Sequence, residues 1–441
     1  MNKQAWMDRA TELGFDAFEI YRSTTEERQM TWFEGDLDTF VSSSVTGTAL
    51  RGLIGTKMAN LATEDLNDEE MDEILCGMKE MAETITSEDA GIIRRPMPIH
   101  VSEKTKHWKK TSEDKIKSVL ASLEKKIKEY DPRIKNISDL VFVSQKEGRE
   151  IVNTNGIDLK DTTEVQEIVC QAAASAGDVV KTNFISRIVE DLDAFDEDAF
   201  VKKLCDELLA KLDASSVPSG NYKVIMEKGA LSSLFRAFSP IFSGENVSEG
   251  VSPLSNKVGE KVFSDLITIV DDPQCSEACS QLDFDDEGCA CTRKEIISAG
   301  VLKTILHSSK SAAKMGFEST GNGFKTSYAS SVGVRMMNCC IRPGEKNLAE
   351  LCKDMGDGLV ITDLEGLHAG VNTVTGDFSL QCSGYAVKNG VRDHSVELIT
   401  IAGNFLDMLA HVSAVGSDLE WDDNTIAAPS IAFESCSIAG E

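Results

Sequence analysis

A hydrolytic metal site needs at least three ligands around one ion and an open position for water. The economical way to encode it sets two histidines about one helical turn apart with a glutamate beside them. This sequence has six histidines, His100, His107, His307, His368, His394 and His411. None stands four or five residues from another and no His-Glu pair occurs, so the chain is expected to hold no hydrolytic zinc and no other cofactor of its own. Cys275, Cys279, Cys289 and Cys291 place four thiols in one loop-like stretch. They are the best remaining candidate for a metal or redox site, although their spacing is not a two-knuckle pattern. Asp283-Phe284-Asp285-Asp286-Glu287-Gly288 opens like a calcium loop, but Lys294 stands where the bidentate glutamate is required and Glu295 comes one place late. A solvated acidic turn is the expectation there. Ser-x-x-Lys occurs at Ser112/Lys115, Ser122/Lys125 and Ser311/Lys314 without the motifs that accompany it in acyl-transfer enzymes. A phosphate loop and a nucleophile elbow are both absent.

The elements that must position these residues read as a mixed α+β chain. Ala5, Trp6, Ala10 and Leu13 share one face of a helix over 2–13, which Gly14 stops. Ala17 to Tyr21, Arg28 to Phe33 and Thr46 to Leu53 alternate as strands. Residues 67–84 form an amphipathic helix with an acidic start that suits the helix dipole. A Pro-containing crossing loop over 92–111 carries a basic run, Lys104 to Lys110, and a Lys-rich helix follows at 112–129. Strands fill 139–190, with Asn155-Gly156 as a tight turn, and a helix at 197–213 closes this half. Ser215-Ser216-Val217-Pro218-Ser219-Gly220 is the clearest linker. The domains are therefore drawn as 1–217, an N-terminal two-layer α/β domain of antiparallel strands and helices with a sub-boundary near 92–111, and 218–441, a β-rich domain with a few packed helices at about 229–238, 305–315 and 402–412.

At 441 residues the chain is long enough for two cores without disulfide or metal staples. Its 73 acidic and 45 basic side chains give a net charge of −28. Nucleic acid and anionic membranes are disfavoured partners, since both are bound through Lys and Arg. No stretch is apolar enough for a membrane span and no signal segment opens the chain, so reduced cysteines and a cytoplasmic location are expected.

Four segments of the second half are distinctive together. They are Phe284-Asp285-Asp286-Glu287-Gly288, Ser319-Thr320-Gly321-Asn322-Gly323, the run Gly366-Leu367-His368-Ala369-Gly370-Val371-Asn372-Thr373-Val374-Thr375-Gly376-Asp377-Phe378-Ser379-Leu380, and the closing Ser437-Ile438-Ala439-Gly440. In order and content, with Val415-Gly416-Ser417-Asp418-Leu419 before the end, they resemble the TldD/PmbA family. The resemblance implies a choice between two branches. One carries His-Glu-x-x-x-His on a helix early in its second half and is a metallopeptidase. The PmbA (TldE) branch lacks that motif and pairs with the first. Here the matching positions fall on Phe235, Arg236 and Pro240, and Ser417 to Asn424 offers no cysteine ligand. The resemblance thus implies a non-catalytic subunit of a peptidase complex that matures or degrades unfolded or modified peptides. Its partners would be a TldD-like catalytic chain and an extended peptide. The alternatives are a homodimeric peptide-binding or scaffold protein and an enzyme with an unrelated thiol or metal site. Asn322, His368, Asn372, Asp377 and Ser379 are the candidate peptide- or partner-contacting residues. Gly366, Gly370 and Gly376 would permit tight turns or the close approach of another chain.

Overall fold

The protein is described by a computed structural model covering residues 1–86, 91–421 and 425–441. Strands that alternate in sequence turn out to be long. β1 (Ala17–Phe33) runs through what reads as two strands and a break, and β2 (Asp36–Ile54) returns beside it. Glu34 and Gly35, both at positive φ, make the turn. β3 (Lys57–Thr63), β4 (Ile134–Asn153), β5 (Asp158–Ala176) and β6 (Val179–Ile188) complete one antiparallel sheet in the order β3-β2-β1-β4-β5-β6. Asn155-Gly156 joins β4 to β5, with Gly156 at φ 103°.

The period-2 pattern decides what each face of this sheet does. Phe18, Ile20 and Met30 of β1, Leu50 of β2, and Leu140, Phe142 and Val152 of β4 point to one side. There they meet α1 (Lys3–Glu12) and α2 (Met71–Thr84) at one end, and α3 (Glu113–Tyr130) and α4 (Glu197–Leu212) at the other. The intervening positions Glu19, Tyr21, Arg51, Arg149 and Ile151 face the second half of the chain and are buried or nearly so. The segment between α2 and α3 is irregular throughout its described residues, as expected for a crossing loop. Three lysines of its basic run are paired: Lys104 reaches Asp161 and Asp283, Lys106 reaches Glu190, and Lys109 reaches Asp191 and Asp193.

The second half opens with β7 (Gly220–Met226) and α5 (Lys228–Phe238). β7 lies parallel to Gly358–Glu365 and antiparallel to Ile431–Ala439. Asp377–Lys388 and Val391–Asn404 follow on one side, and Val391–Asn404 also pairs with Ile431–Ala439 through Thr400↔Ala439 and Ile401↔Ile438. The five strands therefore close into a ring, with Val412–Val415 attached outside it. A second sheet of short strands contains Ile269–Asp271, Lys294–Ser298 and Cys339–Ile341. The helix expected at 305–315 is confined to Ser309–Met315, and the one at 402–412 to Phe405–Ala410 after a strand. Leu348–Met355 is a helix that the sequence reading did not separate from its surroundings. Among the described residues no helix is long and apolar enough to cross a membrane.

Candidate functional site

Two regions stand out, and three of the four distinctive segments divide between them; the fourth, from Ser437, closes the last strand, Ile431–Ala439. The first is a cleft of about 420 Å³ between α5 and the loop 366–376. The helix half of it follows from a five-residue apolar stripe. Ala230, Leu231, Leu234, Phe235 and Phe238 are buried, which leaves Ser233, Arg236 and Ala237, at i, i+3 and i+4, on the opposite face. Phe238 stacks on Phe405 with centroids 4.5 Å apart, and Phe235 packs edge-on against Phe242. The helix ends at Phe238 and a short 3₁₀ turn, Ser239–Phe242, follows; Pro240 within it has no N–H to continue the helical ladder. Of the three positions matched to ligands or base, only Arg236 lines the cleft. Phe235 is a core residue and Pro240 is exposed at the turn.

The other wall is built from the long glycine-containing segment. Leu367, His368, Val371 and Thr373 line the cleft, and His368 is exposed. Asn372 does not reach it: its Oδ1 accepts from the backbone N–H groups of Val374 (3.0 Å) and Thr375 (3.2 Å), closing an Asx turn. Asp377 accepts from Asn404 Nδ2 at 2.9 Å, and this bond and that to Thr375 hold its carboxyl below the usual range. The Ser379 side chain is exposed, and its backbone N–H donates to Gly370 O at 2.9 Å. A Cβ on Gly370 would sit 2.4 Å from the Ser379 carbonyl oxygen. The close approach that this glycine permits is thus to its own hairpin. Of the five candidate contact residues, only His368 lines the cleft. Ser233, Ala237 and Leu367 belong there too, and the helical spacing from Arg236 is the signal that finds the first two.

The second region is buried, and here the sequence expectation is overturned. Asp283, Asp285, Asp286 and Glu287 are not a solvated turn; each is at most 6% exposed. Asp286 Oδ1 accepts from Arg149 (2.8 Å) and from the Tyr21 hydroxyl (3.1 Å), and its Oδ2 accepts from the Lys325 backbone N–H (2.7 Å). Arg149 also lies over the Phe284 ring. Asp285 accepts backbone N–H bonds from Glu287, Cys289 and Gly323, and Glu287 accepts from Ser309. Burial, with the neighbouring Glu287 carboxylate, pushes the Asp285 carboxyl well above the ordinary range. Burial and the nearby Arg51 push the Lys325 ammonium down to about 8.

Asn322 belongs to this junction and not to the cleft. It is fully buried, donates to Asp271 Oδ2 and Arg335 O (both 2.9 Å), and accepts from Lys294 Nζ and Thr320 Oγ1. Every polar position of its amide is taken. The first two distinctive segments are therefore two sides of one buried contact, on which the first-half sheet rests.

The four cysteines do not converge. Cys289 and Cys291 are buried against the 319–321 turn, with Cys291 Sγ 3.3 Å from Gly321 O, whereas Cys279 faces Trp421 O. Among the described residues no three potential ligand side chains are grouped to hold an ion. The stretch matched to the cysteine ligand of the catalytic branch lies partly outside the described residues.

Comparison with known proteins gives three successive matches along the chain. The PmbA/TldA metallopeptidase domain 1 matches residues 18–82, its central domain residues 106–212 and its C-terminal domain residues 219–440. The chain belongs to the PmbA/TldD family. A PmbA homologue from Haemophilus influenzae, described as a metalloprotease, is 28% identical over 329 residues, 74% of this chain and 70% of its own. The metalloprotease MJ0996 of Methanocaldococcus jannaschii is 26% identical over 94% of this chain and 92% of its own. A Thermotoga maritima structure, described as a candidate modulator of a DNA gyrase, is 30% identical with a TM-score of 0.87 over 99% of both chains. TldE from Thermococcus kodakarensis shares the fold, with a TM-score of 0.89 over 99% of this chain and 100% of its own at 22% identity. Within the PmbA/TldD family this chain is on the side that lacks His-Glu-x-x-x-His.

Proposed function

We propose that this chain is the non-catalytic subunit of a PmbA/TldD-type metallopeptidase pair that processes unfolded or modified peptides in the cytoplasm. The observation that carries the reading is on α5. The position matched to the first ligand is a core phenylalanine, Phe235, and the position that faces the cleft is a cation, Arg236. An apolar ring cannot ligate an ion, and a guanidinium has only N–H donors and no lone pair to offer one. The residues present do not fit a catalytic metal, so no step of hydrolysis is assigned to this chain. Its contribution is a wall of the peptide chamber: the rigid loop 366–376 and the helix face opposite. The catalytic partner supplies the metal, the activated water and the general base.

The test is co-purification of the tagged chain from its host at physiological salt, followed by peptide hydrolysis. Recovery of a similar-sized chain bearing His-Glu-x-x-x-His is expected, with chelator-sensitive turnover only when both chains are present. Replacing residues 366–376 by a short linker should lower turnover by the pair. Recovery of this chain alone, or chelator-sensitive turnover by it alone, would remove the reading.

A further inference from the structure

The edges of the first-half sheet are protected unequally. Its outermost strands are β3 and β6. β6 carries Lys181 and Arg187, which are tied to Glu397 and Glu420 of the second half. β3 covers β2 only from Thr48 to Ile54. From Thr48 back toward the hairpin, β2 pairs with β1 alone among the described residues. Asp38 to Val45 are all exposed, although they form regular strand. A strand packed on one side buries every second residue. Here both faces and the outer backbone edge meet solvent.

The usual protections of such an edge are charge, proline or a bulge. Thr39 to Leu50 contains no charged residue, in a chain that is 27% charged, and no proline. Its pairing with β1 runs without a bulge from Thr39 onward. Phe40, Val41 and Val45 remain 40–44% exposed along it.

The order of residue types along this edge indicates what fits it. Val41-Ser42-Ser43-Ser44-Val45 reads the same in both directions. Antiparallel pairing with a second copy, about a twofold axis through Ser43, sets each valine opposite a valine and each serine opposite a serine. Such directly opposed β-branched side chains are a favourable cross-strand pair. Charge points the same way. Two copies at −28 repel one another, and along this stretch neither brings a charge to the contact.

We propose that residues 39–47 of β2 form an interface for a second copy of this chain, which joins two first-half sheets edge to edge into one antiparallel sheet. Val41 then faces Val45 of the second copy, and Phe40 faces its Thr46. The pairing goes beyond the peptidase reading and does not depend on it, since it uses a different half of the chain from the α5 cleft.

The test is the mass of the purified full chain, by sedimentation equilibrium and light scattering, over a concentration series at low and high salt. A reversible dimer is expected in the micromolar range, because one paired strand is a small interface. It should tighten at high salt, which screens the acidic repulsion. Ser43 lies on the proposed axis, so a charge placed there meets itself. Ser43→Lys and Ser43→Asp should each weaken the dimer at least about tenfold, and an equimolar mixture of the two should restore it. Ser43 is exposed, so both variants are expected to fold, with urea melts matching the parent. A parent that stays monomeric overturns the proposal. A dimer that neither variant weakens overturns the location, and a mixture that stays monomeric overturns the twofold register. A monomeric parent that binds a chain bearing His-Glu-x-x-x-His, and loses it in Ser43→Lys, gives this edge to the catalytic partner instead.

Discussion

The acid run 283–287 and the loop 366–376 are both polar, glycine-flanked and distinctive in sequence, yet they sit in opposite environments. The first is sealed between the first-half sheet and the second half, with its carboxylates committed to Arg149, Tyr21 and backbone N–H groups. The second stands at the surface, bonded to itself, and presents one wall of a cleft. In the first, the polar groups set how two parts of the chain meet. In the second, they set the shape of a surface and leave His368 available above it. A polar motif is thus not by itself a functional site. What separates the two cases is whether the partners of its side chains lie within the chain.

Breaking the buried side should have the largest effect. Arg149→Ala leaves Asp286 without its cation in a water-poor junction, which costs about 3–5 kcal/mol for a buried pair broken from one side. The expected outcome is a clear fall in the denaturant midpoint and faster amide exchange in β1, β4 and residues 283–291. A double-mutant cycle with Asp286→Asn should give a coupling above 1 kcal/mol; additive effects would mean that the junction is held by packing instead. On the cleft side, Gly370→Ala forces a methyl against the Ser379 carbonyl. A loss of about 1–3 kcal/mol is expected, with exchange rising in 366–380 and unchanged in 283–291. Exchange spreading to the junction would erase the distinction between the two regions.

Two smaller effects sharpen it. Glu227, at the start of α5, is held by burial at a carboxyl pKa of about 7, against Lys228 and Lys203, which favour its charged form. A folded-state value raised above the unfolded one means that the folded chain holds the proton more tightly. The stabilising contribution is therefore complete below about pH 4.3 and lost as pH rises through 7. Glu227→Gln should match the parent in urea melts at pH 4 and exceed it by about 1–2 kcal/mol at pH 8, a figure reduced because the group is only half-buried. An equal difference at both pH values would place the effect in packing and not in charge. Asn372→Ala, which opens the Asx turn, should cost about 1 kcal/mol and loosen only the loop.

Much of the architecture was legible because it follows from periodicity. The helices at 3–12, 71–84, 113–130, 197–212 and 228–238 all show an apolar stripe, and Gly14 and Pro240 mark ends of two of them. The length of β1 was hidden because Ser23 to Arg28 is polar on both faces, so alternation fades where the sheet leaves its core. The burial of Asp285 and Asp286 was hidden for a different reason. Their compensating groups, Arg149, Tyr21 and the Gly323 and Lys325 backbone, lie far away in sequence, and no local pattern announces a charge neutralised at long range. At the cleft, Arg236 and His368 were visible as residues, but their meeting across a gap depends on how α5 is rotated by Phe235, Phe238 and Phe405.

The ring of strands in the second half sets an order of events during synthesis. β7 is made early, at Gly220–Met226, but one of its neighbours is Gly358–Glu365 and the other is Ile431–Ala439. On a ribosome, both edges of β7 must wait for more than half of the domain to emerge, while every strand of the first-half sheet finds its partners before residue 190. The first half can therefore fold as a finished platform while the second is still incomplete. A chain cut between Asn404 and Ile431 would leave the ring open, with β7 and Val391–Asn404 each missing a neighbour. Such unpaired edges recruit other chains, so premature termination should yield aggregates built on an intact first half, and quality control would need to act on nascent chains late in translation.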